Sequence, residues 1–189
     1  MFHSYLHGER VRLTAIERDD LPTIARWHTD ETFGRFYNGT PAVPRSAQRW
    51  AAWLEEIEGE SNAFYFAVRH TQTTQLLGIA DISGILWNNR NGALGLGIGA
   101  VEHRRQGYGG DAMRLLLRFA FEELNLHRVW LTVFSYNHGA IQMYEGLGFT
   151  HEGTHREHIL RGSQVHDMHL YGLLQREWAA SHTGNDMQR

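Results

Sequence analysis

The chain has 189 residues, 42% hydrophobic and 12% aromatic, with 21 acids against 18 bases and a formal net charge of −3. That length suits one domain, able to bury about 70% of its unfolded surface without a disulfide or metal staple. There is no Cys and every base is Arg, which excludes thiol nucleophiles, Cys-ligated metals, P-loop lysines and Schiff-base lysines. No Ser sits in a G-x-S-x-G elbow, so the α/β-hydrolase route lacks its nucleophile. Neither half is basic enough to follow a nucleic-acid backbone, and no apolar window approaches the ~18 residues of a membrane span. Neither partner is expected. The opening Met1-Phe2-His3-Ser4-Tyr5 shows no basic-then-apolar leader, and a cytoplasmic protein is expected.

In chain order, residues 10–15 alternate as a strand would, and residues 17–28 place Leu21, Ile24, Ala25 and His28 on one helical face. Residues 33–44 read as a loop, with Gly39, Pro41 and Pro44. Ser46 caps a helix whose Trp50, Trp53, Leu54 and Ile57 form a core stripe. Short apolar strands follow at 64–69 and 76–82, then a turn over 87–92 and a third strand over 93–100. A charged, glycine-rich loop at 102–110 leads into a helix ending near Leu124, with Ala112, Leu116, Phe119, Ala120 and Glu123 on one stripe. After a strand at Arg128–Phe134, residues 137–147 form a short helix closed by Gly148. A hairpin over 155–160 and 164–173 ends the domain, and the polar tail over 179–189 is expected to be disordered. The order β-α-α-β-β-β-α-β-α-β-β implies a mixed sheet with helices on its faces, not a doubly wound parallel fold.

Two stretches carry chemistry. In Ala93-Leu94-Gly95-Leu96-Gly97-Ile98-Gly99 every odd-numbered position from Gly95 is Gly, so one strand face is bare. Such a face admits either a close helix or something extended lying against it, and the second reading is the functional one. Directly downstream, Arg104-Arg105-Gln106-Gly107-Tyr108-Gly109-Gly110 opens a helix, a concavity of backbone N–H groups suited to phosphates. Gly107-x-Gly109-x-x-Ala112 formally matches the dinucleotide fingerprint. The charged run from Glu102 to Gln106 replaces the strand that fingerprint requires, and the strand at Arg128–Phe134 offers no acid for a ribose. Thirteen His raise the question of a metal, but His151 and His155 would share a strand face that His158 does not, and no metal is expected.

Arg104-x-x-Gly107-x-Gly109 resembles the acyl-CoA signature of the GCN5-related N-acetyltransferase (GNAT) superfamily. Asn137-x-x-Ala140-Ile141-x-x-Tyr144-Glu145-x-x-Gly148-Phe149 is similar to that superfamily's second signature. Gly8-Glu9-Arg10-Val11-Arg12-Leu13 with Arg18-Asp19-Asp20-Leu21, and Glu152-Gly153 through Arg156 to Asp167, resemble its RimJ/RimL-type branch. The likeness covers residues 8–178.

The resemblance implies a single-domain α/β fold of the α+β type: a mixed, mostly antiparallel sheet flanked by helices, with a splayed cofactor cleft. It implies acetyl transfer from acetyl-CoA to a primary amine by direct attack in a ternary complex, with no metal. The acceptor could be a protein N-terminus, polyamine, amino acid or other small amine. The backbone of Gly97, Ile98 and Gly99 would pair with the pantetheine arm, and an amide near Gly97 or Ile98 would stabilise the oxyanion. Arg104, Arg105, Gln106, Gly107, Tyr108, Gly109 and Gly110 would hold the pyrophosphate. Asn137 would bond the CoA arm, and Tyr144 would face the sulfur as general acid.

Packing is the competing duty for Tyr144, helix capping for Asn137, and a structural ion pair is expected between Arg156 and Asp167. Many relatives carry Glu where this chain has Leu94, so the base falls to Asp81, Glu31, a hairpin histidine or water. That departure keeps a non-catalytic acyl-CoA-binding or regulatory module as the alternative. Homodimer formation is left open.

Overall fold

Strand alternation builds two cores on the two faces of one sheet. In the computed structural model, which describes residues 5–186, seven strands lie in the order β1-β2-β3-β4-β5-β7-β6. They are β1 (Val11–Thr14), β2 (Phe64–His70), β3 (Leu76–Leu86), β4 (Asn91–Ile98), β5 (Arg128–Phe134), β6 (Thr150–Arg161) and β7 (Gln164–Leu174). The helices are α1 (Leu21–Thr29), α2 (Glu31–Tyr37), α3 (Ala47–Glu58), α4 (Tyr108–Arg118), α5 (His138–Gly146) and α6 (Gln175–Asp186). All pairings are antiparallel except β4 with β5.

On β2, Phe66 and Val68 point to the α4 layer and Ala67 to the layer of α1, α2 and α3, as a period of two requires. The α4 layer buries Ala112, Met113, Leu116 and Phe121 against Val11, Ile82 and Leu131. The opposite layer buries Ile24, Trp27, Phe33, Trp50, Leu54 and Ile57. Burying each such large side chain contributes about 1.5–3 kcal/mol. Ser46 caps α3 as expected, its hydroxyl accepting from the Arg49 amide at 3.2 Å. The α4 helix widens into a π turn at Phe119–Glu123, closed where the Leu124 amide donates to the Phe119 carbonyl at 2.9 Å.

Three expectations are corrected. The loop expected over 33–44 contains α2. Asp30 starts that helix by accepting from the amides of Thr32 (2.6 Å) and Phe33 (3.3 Å), and Phe33 is a buried anchor. The tail expected to be disordered over 179–189 continues α6 through Asp186. Buried Trp178 holds the start of that helix on Phe121, with ring centroids 5.4 Å apart, and the Glu177 carboxylate accepts from the Leu174 amide. Residues 187–189 of that tail, and Met1–Ser4 of the opening read for a leader, lie outside the described residues. Arg156 and Asp167 form no ion pair. Asp167 instead accepts from the Glu157 amide at 2.8 Å, inside a bulge where Glu157 takes a φ of +52° and the β6–β7 register slips between His155 and Ile159.

β1 is fastened to the start of α4. The Asp111 carboxylate accepts from the amides of Arg10 (2.8 Å) and Val11 (3.0 Å), and the Arg10 guanidinium donates to the Gln106 carbonyl at 2.7 Å. On the other face Gly99 lies hard against Trp27, where a methyl group would overlap the indole. Gly99→Ala should therefore lower stability by about 1–3 kcal/mol, the usual scale of overpacking. The urea midpoint checks it; an unchanged midpoint would mean that Trp27 moves aside freely.

Candidate active site

The parallel ladder between β4 and β5 lasts three pairs, Asn91 with Arg128, Gly92 with Val129 and Ala93 with Trp130, and then the strands part. β5 continues along β7 on its other side, so the rest of β4 has an open edge. The Gly99 amide donates to the Leu77 carbonyl at 2.9 Å, toward β3. By the two-residue alternation of an antiparallel ladder, Gly95 and Gly97 also address β3, and the amides of Leu96 and Ile98 face the open edge. A cleft of about 1300 Å³ fills the gap, with the expected site residues Gly97, Ile98, Arg104, Arg105, Gly107, Gly109, Gly110, Asn137 and Tyr144 in its wall.

At one end lies the start of α4. Gly107 caps the helix with φ +84°, a left-handed conformation that favours glycine, and Arg105 before it has φ +59°. No side chain caps the first-turn amides of α4. At Gly109 an added methyl would meet only ordinary contacts, 3.5 Å to Met143 and 3.8 Å to Ile98, and at Gly110 only Arg114 at 3.9 Å. The protein's own packing therefore does not demand these two glycines, and their amides are open to an anion held at the positive end of the helix.

Three residues of the expected cradle turn their side chains elsewhere. Arg104 donates to the Gly99 (2.8 Å) and Ile98 (3.3 Å) carbonyls, Gln106 donates to the Glu102 carbonyl, and Tyr108 packs its ring on His70 and His103.

The far wall is α5. Asn137 caps it, its side-chain oxygen accepting from the Ala140 amide at 3.3 Å. Gly148, at φ +91°, ends it. Tyr144 is buried against Phe149, with ring centroids 5.7 Å apart, and burial pushes its hydroxyl up to about 12. It is thus a core ring, the packing duty anticipated for it, and it also lines the cleft.

The bare face of β4 is not open to a ligand. Gly97 accommodates Tyr37 and Phe33, Gly99 accommodates Trp27, and Gly95 makes room for the Asp81 carboxylate reaching over from β3. What the cleft offers an extended molecule is the strand's edge, not its glycine face. Leu94, at the position where relatives carry Glu, is buried in the α4-side core.

Of the carboxylates expected to replace that Glu, Asp81 lines the cleft, whereas Glu31 sits at the exposed start of α2 paired with Arg35 at 3.2 Å. Among the hairpin histidines, His158 also lines the cleft, placed there by the β6 bulge. Ser83 donates to Asp81 at 2.8 Å. Burial raises the Asp81 carboxyl above its ordinary range, the Ser83 hydrogen bond draws it back in part, and the nearby charge of Glu60 adds to the rise.

The sequence reading missed an aromatic wall made by Phe36 and Tyr37 of α2 with Phe134 at the end of β5 and Tyr136 just beyond it. Phe36 meets Tyr136 edge-on at 5.7 Å, and Tyr136 stacks on Phe134 at 5.5 Å. The Tyr136 hydroxyl donates to the Arg35 carbonyl, and Arg161 of the hairpin donates to the Asn38 carbonyl at 2.6 Å. The signal was present in the helical spacing of Phe33, Phe36 and Tyr37 behind Asp30. Among the described residues no group of three or more His, Asp or Glu is arranged to hold a metal ion. His151 and His169 share the Thr154 hydroxyl at 3.0 Å each.

The family model for the acetyltransferase (GNAT) domain matches residues 10–150, which hold the open strand edge, the uncapped helix and α5. The chain belongs to the GNAT acetyltransferases. This GNAT chain is 26% identical over 177 residues to the uncharacterized N-acetyltransferase p20 of Bacillus licheniformis, covering 92% of this chain and 98% of that one. It is 28% identical over 174 residues to a spermidine N(1)-acetyltransferase of Vibrio cholerae, covering 90% and 96%. A crystal structure of spermidine N-acetyltransferase from Vibrio cholerae in complex with CoA and spermine superposes with a TM-score of 0.82 at 24% identity, covering 90% and 98% of the two chains. The mixed, mostly antiparallel fold expected from the sequence is thus the GNAT fold, and the chain is an acyltransferase.

Asp81 gives a test of the site's electrostatics. Its folded carboxyl is raised, so its contribution to stability is present at acid pH and is lost as pH rises through the folded value. Asp81→Asn, neutral at every pH, should melt above the wild type at neutral pH and converge with it in acid. A pH-independent difference would mean that the carboxylate is not buried at a cost.

Proposed function

We propose that this chain is an acetyl-CoA-dependent N-acetyltransferase of the RimJ/RimL-type branch, acting in the cytoplasm on a primary amine by direct attack in a ternary complex. One observation carries the reading: the uncapped start of α4, the open edge of β4 and Tyr144 all border a single cleft. Amides from Arg105 to Gly110 hold the pyrophosphate, where the helix end favours negative charge. The β4 edge pairs with the pantetheine arm through Leu96 and Ile98, while Gly97 and Gly99 shape the strand around its aromatic neighbours. Asn137 caps α5 with its oxygen and offers its amide nitrogen to the arm.

The amine nitrogen attacks the thioester carbonyl, and the Ile98 amide stabilises the oxyanion that forms. The C–S bond then breaks, and the departing thiolate takes a proton from Tyr144. Burial keeps the Tyr144 proton in place across the working pH range and makes the phenol a weaker acid, so it steadies the sulfur as a hydrogen-bond donor before the proton moves. The non-catalytic alternative rested on Leu94, and the Asp81 carboxylate in the same cleft removes that motive.

Tyr144→Phe keeps the ring and removes the donor. We expect kcat to fall about 10²–10⁴-fold with the acetyl-CoA dissociation constant and melting temperature little changed. Near wild-type turnover, with chemistry shown to be rate-limiting, would leave Tyr144 a packing residue. Gly109→Val should weaken acetyl-CoA binding, measured by calorimetry, far more than it lowers stability. Acetyl-CoA at 100 times its dissociation constant should stabilise the fold by about 2.7 kcal/mol. If NAD(H) raises the melting temperature and acetyl-CoA does not, the cradle is misread.

A further inference from the structure

Resting on the acetyl-transfer reading, we propose that the acceptor is a small monoamine with an apolar or aromatic body, held by its ammonium on Asp81 with its body against Phe36, Tyr37, Phe134 and Tyr136. Asp81 is the one carboxylate in the wall of the cleft, among the described residues. The other formal charges there are the cations Arg104 and Arg105. A polyamine would enter with several ammonium groups. After the first found Asp81, the others would meet no second carboxylate in the wall and would face the like charges of Arg104 and Arg105. Aromatic rings cover apolar surface well, which suits one charged head on an apolar body.

A second cavity adjoins the cleft at Asp81. It holds about 180 Å³, shares Tyr37, Asn38 and Asp81 with the main cleft, and is walled by Trp50, Trp53 and Tyr65. Its charged residues are Asp81 and the cation Arg45. Gly95 is what permits the arrangement, since any side chain there would displace the Asp81 carboxylate.

Asp81 also serves the chemistry. Its carboxylate takes the ammonium proton and passes it to water, which frees the nitrogen lone pair to form the C–N bond. As the C–S bond breaks, the second nitrogen proton leaves to water, the thiolate takes the Tyr144 proton, and Tyr144 recovers one from water. The products are the N-acetyl amine, CoA thiol and one released proton.

The experiment uses phenethylamine, spermidine and a short peptide beginning with Ala. Thiol release with acetyl-CoA gives kcat/KM, and calorimetry on the CoA-saturated protein gives amine affinity. We expect phenethylamine to exceed both others at least tenfold in kcat/KM. We also expect Asp81→Asn and Phe36→Ala, both folded by melting curve, to lose at least tenfold in phenethylamine affinity. Equal or better use of spermidine or the peptide overturns the proposal and leaves the transfer reading standing, as does phenethylamine binding that ignores Asp81. Failure of phenethylamine to bind overturns it as well. Binding of phenethylamine that depends on Asp81, with no thiol released from any amine, supports the acceptor site and overturns the transfer reading.

Discussion

Where β4 and β5 stop sharing hydrogen bonds, after Ala93, the sheet gives up backbone pairing in its own middle, and the rest of the molecule is arranged around that concession. Unpaired strand edges normally sit at the outside of a sheet, where water satisfies them. Here the edge is internal, bounded by α4 on one side and α5 on the other, so that its free amides line a deep cleft. Arg104 meets part of the deficit by donating to the carbonyls of Ile98 and Gly99. The remaining donors and acceptors are what an extended acyl carrier with amide groups of its own can satisfy, which is how a defect in pairing becomes a binding surface.

Glycine is used on β4 for the opposite of emptiness. Each glycine in a strand costs roughly 0.5–1 kcal/mol relative to Ala. In exchange the three at Gly95, Gly97 and Gly99 bring the Asp81 carboxylate and the rings of Tyr37, Phe33 and Trp27 against the backbone. The rings fix α1 and α2 onto the sheet. The carboxylate is the exception to that apolar packing, buried at a cost and raised in its proton affinity. The same strand therefore presents a backbone edge to the cleft and, through its missing side chains, lets a charged group from β3 line it as well.

Much of this was legible beforehand. The two signatures around Gly107 and Tyr144 depend on local geometry, a helix start and a helix face, and local spacing encodes such things well. The α3 stripe and the Gly148 stop were readable for the same reason. The α2 helix was not, because Gly39, Pro41 and Pro44 follow it closely and the signal of Asp30 capping Phe33 was outweighed. The glycine face was read as a ligand platform because its occupants, Tyr37 and Trp27, lie 60 and 72 residues from Gly97 and Gly99 in the chain. The Asp167 contact was misassigned because a bulge at Glu157 changes which atoms face each other, and a bulge leaves no fixed residue pattern.

The Asp111 carboxylate that holds the Arg10 and Val11 amides joins segments 101 residues apart. Closing a loop of that length brings an entropic penalty that only many simultaneous contacts can offset. During synthesis β1 emerges first, yet it must wait for β2 to pair with and for α4 to fasten it. The start of α4, which we propose as the phosphate cradle, shares that fastening, since Arg10 also donates to the Gln106 carbonyl. The first strand made is therefore among the last to lock, and the cradle reaches its final shape only when the two ends of this long loop have met.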